Sequence, residues 1–157
     1  MSIEKARACL RKMGYEDRII ETRESSATVE LAAEALGCKP AEIAKTLSLL
    51  QQDQPVLLLT EGDARIDNRK YKDTFHTKAR MIPPDEVEAC IGHAPGGVCP
   101  FGINPGVRVY LDESLRKFQY VYPAAGNDHS GVRLTVAELE EIIGNASWVD
   151  VCKTRTE

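Results

Sequence analysis

Apolar positions in the first segment recur every third or fourth residue. Ile3, Ala6, Leu10 and Met13 share one helical face and Gly14 stops it. This spacing predicts an amphipathic helix over residues 2–13, with Cys9 beside that face as a small core residue. "RIIET" (18–22) has the character of a short strand. After "SSAT" the pattern predicts a second helix, with Val29, Ala32, Ala33 and Leu36 on one side and Gly37 past its end. Pro40 opens a short helical turn, "PAEIAK". Beyond it the apolar residues become continuous: "TLSLLQ" and "PVLLLT" flank a turn at 52–54 and predict a hairpin of two well-buried strands.

In the second half, "ARIDNRKYKDTF" (64–75) predicts a polar helix and "ARMIP" (79–83) a strand. "PPDEVEACIG" predicts a helix with proline in its first turn and Gly92 beyond its end. "VRVYLDESL" and "FQYVYPAAG" alternate as half-buried strands do, and "GNDHSG" is a turn. Thr135 and Glu138 form a capping-box pattern at the head of a helix, and "SWVDVC" reads as a last strand. Nothing repeats, no linker divides the chain, and helices and strands mix without a strict strand–helix–strand rhythm. The expected fold is α+β, one domain over residues 1–157, with a mixed, mainly antiparallel sheet flanked by helices.

Composition changes this picture little: 157 residues, 43% hydrophobic and 28% charged, are those of a globular domain and exclude disordered and fibrous classes. The longest apolar runs fall short of a membrane span, and "MSIEKARACL" lacks a signal peptide's apolar stretch. A cytoplasmic protein without membrane contact is expected. Cys9, Cys38, Cys90, Cys99 and Cys152 are odd in number, widely spaced and without CxxC, which suits reduced thiols. His76, His93 and His129 form neither HxH nor HxxxH, so neither a metal nor another cofactor is expected.

Charge is unevenly placed. Against a net charge of -4, Arg65, Arg69, Lys70, Lys72, Lys78 and Arg80 stand with only Asp67 and Asp73 in one segment, and Lys5, Arg7, Arg11 and Lys12 add to them near the start. A basic patch on an acidic body suits a phosphate-bearing partner held at one place; its plain alternative is a solvated helix face.

The chemistry concentrates in "GHAPGGVCPFG" (92–102), a glycine- and proline-rich loop after a helix. Two readings stand: a tight turn that needs positive φ, or a loop whose bare N–H and C=O groups face a ligand. It matches neither the Walker A loop nor the dinucleotide fingerprint. Cys99 is either a nucleophile activated by His93 or His129, or a small side chain packed beside Pro100 and Phe101. His93 is expected as a solvent-facing or hydrogen-bonding loop residue, and His129 as a turn residue able to close over a pocket. Lys45 enters an otherwise uncharged apolar strand, either as a hand for a ligand or as an ordinary snorkelling lysine.

Taken together, "AEALGCKPAEIAKTLSLL" with Lys45, "LTEGDARID", "IGHAPGGVCPFGI", "VYLDESL" and "VYPAAGNDHSGVRLTVAEL" resemble the YbaK and prolyl-tRNA-synthetase editing-domain family of aminoacyl-tRNA deacylases over nearly the whole chain. Gly96 to Pro100 fits that family's GxxxP pattern. The resemblance implies metal-independent hydrolysis of the ester of a mischarged tRNA, by a separate protein acting in trans. Lys45, Gly96 and Gly97 would carry the catalysis, with backbone N–H groups offered to the developing oxyanion. It implies Cys99, Pro100 and His129 as the substrate pocket, and Arg65, Arg69, Lys70 and Lys72 as the tRNA contact. The expected partners are the acceptor end of an aminoacyl-tRNA and prolyl-tRNA synthetase, with the protein a monomer or weak homodimer. The alternative is a non-catalytic module that binds tRNA or a synthetase.

Overall fold

The structure, a computed structural model, describes residues 2–153. Helix α1 (Ser2–Met13) leads through a 3-10 turn to strand β1 (Ile19–Glu21), and α2 (Val29–Leu36) follows, capped by the Thr28 hydroxyl and ended by Gly37. A 3-10 turn at Pro40–Glu42 delivers the chain into β2 (Ala44–Gln51) and β3 (Gln54–Glu61). These pair antiparallel along their full length about Gln52 and Asp53, both with positive φ, as a two-residue hairpin turn requires.

β4 (Arg65–Ile66), α3 (Asn68–Phe75) and α4 (Pro84–Ile91) precede β5 (Arg108–Asp112). A 3-10 turn then leads to β6 (Tyr120–Val121), β7 (Ser130–Val132), β8 (Leu134–Thr135), α5 (Val136–Ile143), β9 (Ser147–Val149) and β10 (Cys152–Lys153).

The central sheet has the order β2-β3-β5-β9. β3 and β5, and β5 and β9, run parallel, while β2–β3 and the small pairs β1–β7, β4–β10 and β6–β8 are antiparallel. The α+β class therefore stands, with most pairings antiparallel and the parallel ones at its centre. The unbroken run "VLLLT" has its cause here, because β3 is covered on both faces. Leu57 and Leu59 pack with Leu10 of α1, Ile91 of α4 and Leu139 of α5. Val56 and Leu58 pack on the other side with Tyr71 of α3.

Three local expectations change. The polar helix begins at Asn68, because Arg65 and Ile66 pair with Lys153 and Cys152 and the Asp67 carboxylate caps the helix through the amides of Arg69 and Lys70. "ARMIP" makes one bridge, Met81 to Leu49, not a strand. "SWVDVC" divides into β9 and β10, which join different sheets.

Candidate active site

Small residues make the site. Along β2, Ala44, Thr46 and Ser48 point to one face while Leu47 and Leu49 pack on the other, and the short side chains leave a cleft of about 280 Å³. Apolar residues of α2, among them Val29 and Ala32, wall it on one side, and Ile82 and Val87 on another. Pro95, Gly96 and Val98 of the glycine loop close one end. Lys45 also reaches this cleft; it is half-buried near the start of β2, opposite Thr60, and its Nζ donates to the Ala64 carbonyl at 2.6 Å. Lys45 and the loop, 51 positions apart at Gly96, thus meet in one cavity.

The loop answers both readings of its composition. Gly97 N–H donates to the Ala94 carbonyl at 3.1 Å, closing a turn with Pro95 second and Gly96 third; Gly96 has φ +92°, the arrangement of a type II turn. The Gly97 amide is therefore spent inside the turn, whereas those of Gly96 and Val98 donate to no described residue. Gly97 has a different task. A Cβ there would lie 2.5 Å from the Asn127 nitrogen, so the loop rests backbone to backbone on 126–127. That second loop is held in turn by Ser26 N–H to the Asp128 carbonyl (2.6 Å) and Thr22 N–H to the His129 carbonyl (2.8 Å).

The other predicted pocket residues lie outside the cleft wall. Cys99 is wholly buried, and Pro100 is buried beside it. The Cys99 Sγ lies 3.5 Å from His93 Nε2 and donates to the Phe101 carbonyl at 3.7 Å, and burial pushes the thiol up to about 12, which disfavours the thiolate that a cysteine hydrolase needs. His93 is likewise buried, so of the two roles expected of it the hydrogen-bonding one is met and the solvent-facing one is not. Its Nε2 lies 2.6 Å from the Phe101 carbonyl, and burial lowers its pKa against the pull of that hydrogen bond, which favours the neutral ring. His129 stands half-exposed on the adjoining loop with Nδ1 2.6 Å from Asp128, and it does not line the cleft.

Of the basic residues, Arg65, Arg69 and Lys72 are exposed, whereas Lys70 is bound to Asp150 (3.2 Å) and the Cys152 carbonyl (3.1 Å). Near the start of the chain, Arg7 and Arg11 pair with Glu16, which leaves that cluster a weaker phosphate surface. Sequence reasoning missed Thr46, whose Oγ1 is buried without a hydrogen-bond partner among the described residues, and Met81, 54% exposed at the cleft. The alternation of "TLSLL" carries the signal for Thr46; Met81 has none.

The α+β domain that carries this cleft is shared with other proteins. Residues 23–142 match the aminoacyl-tRNA editing domain family, and the chain belongs to it. It is 46% identical over 154 residues to the uncharacterized protein YwhH of Bacillus subtilis, covering 98% of each. It is 27% identical over 117 residues to EbsC of Enterococcus faecalis, a candidate Cys-tRNA(Pro)/Cys-tRNA(Cys) deacylase, covering 73% of this chain and 71% of that protein. The proline–tRNA ligase of Shouchella clausii is 31% identical over 105 residues; the match takes in 66% of this chain and 18% of the ligase. Among solved structures, a candidate trans-editing enzyme for prolyl tRNA synthetase superposes with a TM-score of 0.86 at 30% identity, covering 97% of both chains.

Proposed function

We propose that this protein is an aminoacyl-tRNA deacylase that hydrolyses, in trans, the ester joining a small non-cognate amino acid to tRNA for proline. The observation that carries the reading is the convergence of Lys45 and the unpaired Gly96 amide on one apolar cleft within the family-matching residues. An aminoacyl ester is already activated, so placing a water or the neighbouring ribose hydroxyl against its carbonyl supplies much of the acceleration. The Gly96 N–H, with that of Val98 beside it, receives the developing oxyanion; one such donor is worth about 3 kcal/mol. Lys45 adds a fixed positive charge beside the ester or its phosphate, held in place by the Ala64 carbonyl. The apolar wall accepts a small side chain, of the size of alanine, cysteine, serine or 2-aminobutyrate.

Deacylation assays over tRNA for proline charged with each of these, and over cognate Pro-tRNA, test the reading. Turnover on at least one mischarged member, reduced at least tenfold by Lys45→Ala with the circular dichroism spectrum unchanged, is the expected result. Binding without turnover on every member favours the non-catalytic module, acting through the exposed Arg65, Arg69 and Lys72.

A further inference from the structure

Lys45 borders two cavities. The first is the apolar cleft; the second is a groove of about 740 Å³ on its other side, formed where the turn between β3 and β4 faces the start of α2 and the 3-10 turn at Pro40. Val29 is the other residue the two cavities share. Their linings differ in kind. All the charged residues of the first come down to Lys45, whereas the second carries Lys39, Lys45 and Arg65 together with Glu30 and Asp63.

The state of these charges matters more than their number. Lys39 and Arg65 are exposed, and neither side chain has an ion pair or hydrogen bond among the described residues. Three other cations are engaged: Lys117 with Glu61, Lys70 with Asp150, Arg18 with Glu138. Asp63 Oδ1 is buried without a hydrogen-bond partner among the described residues, beside the Glu61 carboxyl, so the exposed acidic group of the groove is Glu30. The groove thus presents two free cations at its rim, Lys45, which is bound to the Ala64 carbonyl, at its junction with the cleft, and the exposed Glu30 carboxylate able to accept from amino or hydroxyl groups.

We propose that this second groove seats the single-stranded 3′ end of the tRNA, with Lys39 and Arg65 on its phosphodiesters, so that the scissile ester lies at Lys45 where the two cavities meet. The assignment rests on the deacylase reading for the identity of the strand. It divides the substrate at one residue: the amino acid goes into the small apolar cavity and the nucleotides into the larger charged one. Lys39 and Arg65 are then binding residues whose loss weakens capture without touching the hydrolytic step.

The test uses two readouts on the full chain. Fluorescence anisotropy follows a 5′-labelled CCA trinucleotide RNA, and single-turnover deacylation follows a mischarged tRNA for proline. The variants are Lys39→Ala/Arg65→Ala and, as a control of equal charge outside the groove, Arg23→Ala/Arg108→Ala. The groove variant is expected to bind the trinucleotide at least fivefold more weakly, with a log–log salt slope shallower by about 1. In deacylation it should raise the half-saturating enzyme concentration similarly and keep the rate at saturation; the control should match the native chain. Equal loss in both variants, or none in either, overturns the groove assignment while any deacylation observed leaves the function standing. Trinucleotide binding lost only in the groove variant, in a protein that deacylates no charged tRNA, supports the groove and overturns the deacylase reading.

Discussion

At Gly96 and Gly97 adjacent residues of the same type are required for different reasons. Gly96 holds φ +92°, while a Cβ there would have its nearest neighbour, the Asp128 Cβ, at 3.5 Å, so Gly96→Ala meets a backbone cost of about 1–2 kcal/mol and no collision. Gly97→Ala sets a methyl against the backbone of Gly126 and Asn127 at 2.5–2.6 Å, where no rotamer gives relief. The two loops must part, at a cost of about 1–3 kcal/mol. Urea titration should rank Gly97→Ala the less stable, and deacylation should fall with it because the cleft end moves. A Gly97→Ala protein as stable as the native chain would mean the loops do not rest on each other. Glu61 offers a separate test. Burial, then Asp63, raises its pKa against the opposing pull of Lys117. Its contribution to stability is therefore whole below the ordinary carboxylate range and is lost as pH rises through its raised value. Glu61→Gln keeps a hydrogen-bond donor toward Asp63 and should flatten the fall in melting temperature across weakly acidic pH. Superimposable pH profiles would exclude Glu61 as its source.

Elements with their own punctuation were legible in the sequence. α2, α4 and α5 begin and end where caps, prolines and glycines place them, and α1 ends at Gly14. For α5 the capping box is formed as predicted: the Thr135 hydroxyl accepts from Glu138 N–H at 3.1 Å and the Glu138 carboxylate from Thr135 N–H at 2.8 Å. Thr135→Ala should cost about 1 kcal/mol, read as a shift in the urea midpoint at constant slope. No shift would mean that the Arg18 ion pair to Glu138 alone holds that helix end. Of the short strands, β1 was legible in "RIIET"; the bounds of the others were not, because partners far along the chain define them. Arg65 and Ile66 look helical until Cys152 and Lys153 arrive beside them. The site divides in the same way. Lys45 and Gly96 stand out in the sequence as a charge in an apolar strand and a bare turn. The burial of His93 does not, because it depends on neighbours that the loop's own sequence does not contain, including Lys5 of α1, whose Nζ donates to the Gly92 carbonyl at 3.3 Å.

Across the whole molecule, cover and exposure are distributed so that a rigid centre carries a site made of adjustable parts. β3 has neighbours on both edges and side chains packed on both faces, and β5 adjoins it in the same sheet. The cleft instead draws on β2, α2, the turn at 94–97 and the segments near Ser26 and Ser130, which the three-residue pair β1–β7 and a few single hydrogen bonds tie together. Local opening should cost far less there than global unfolding. Native-state hydrogen exchange is therefore expected to show the amides of Leu57, Leu58 and Leu59 exchanging only by global unfolding. Gly97, whose amide has the single Ala94 carbonyl as partner, should exchange through a much smaller opening. A non-hydrolysable analogue of the aminoacyl-adenosine end should slow Gly96, Gly97 and Val98 selectively, since it closes the turn from the cleft side and supplies acceptors to the two unpaired amides. Protection that rises uniformly over β3 and the loop would instead report simple stabilisation of the fold, and protection that leaves the loop unchanged would place the ligand elsewhere.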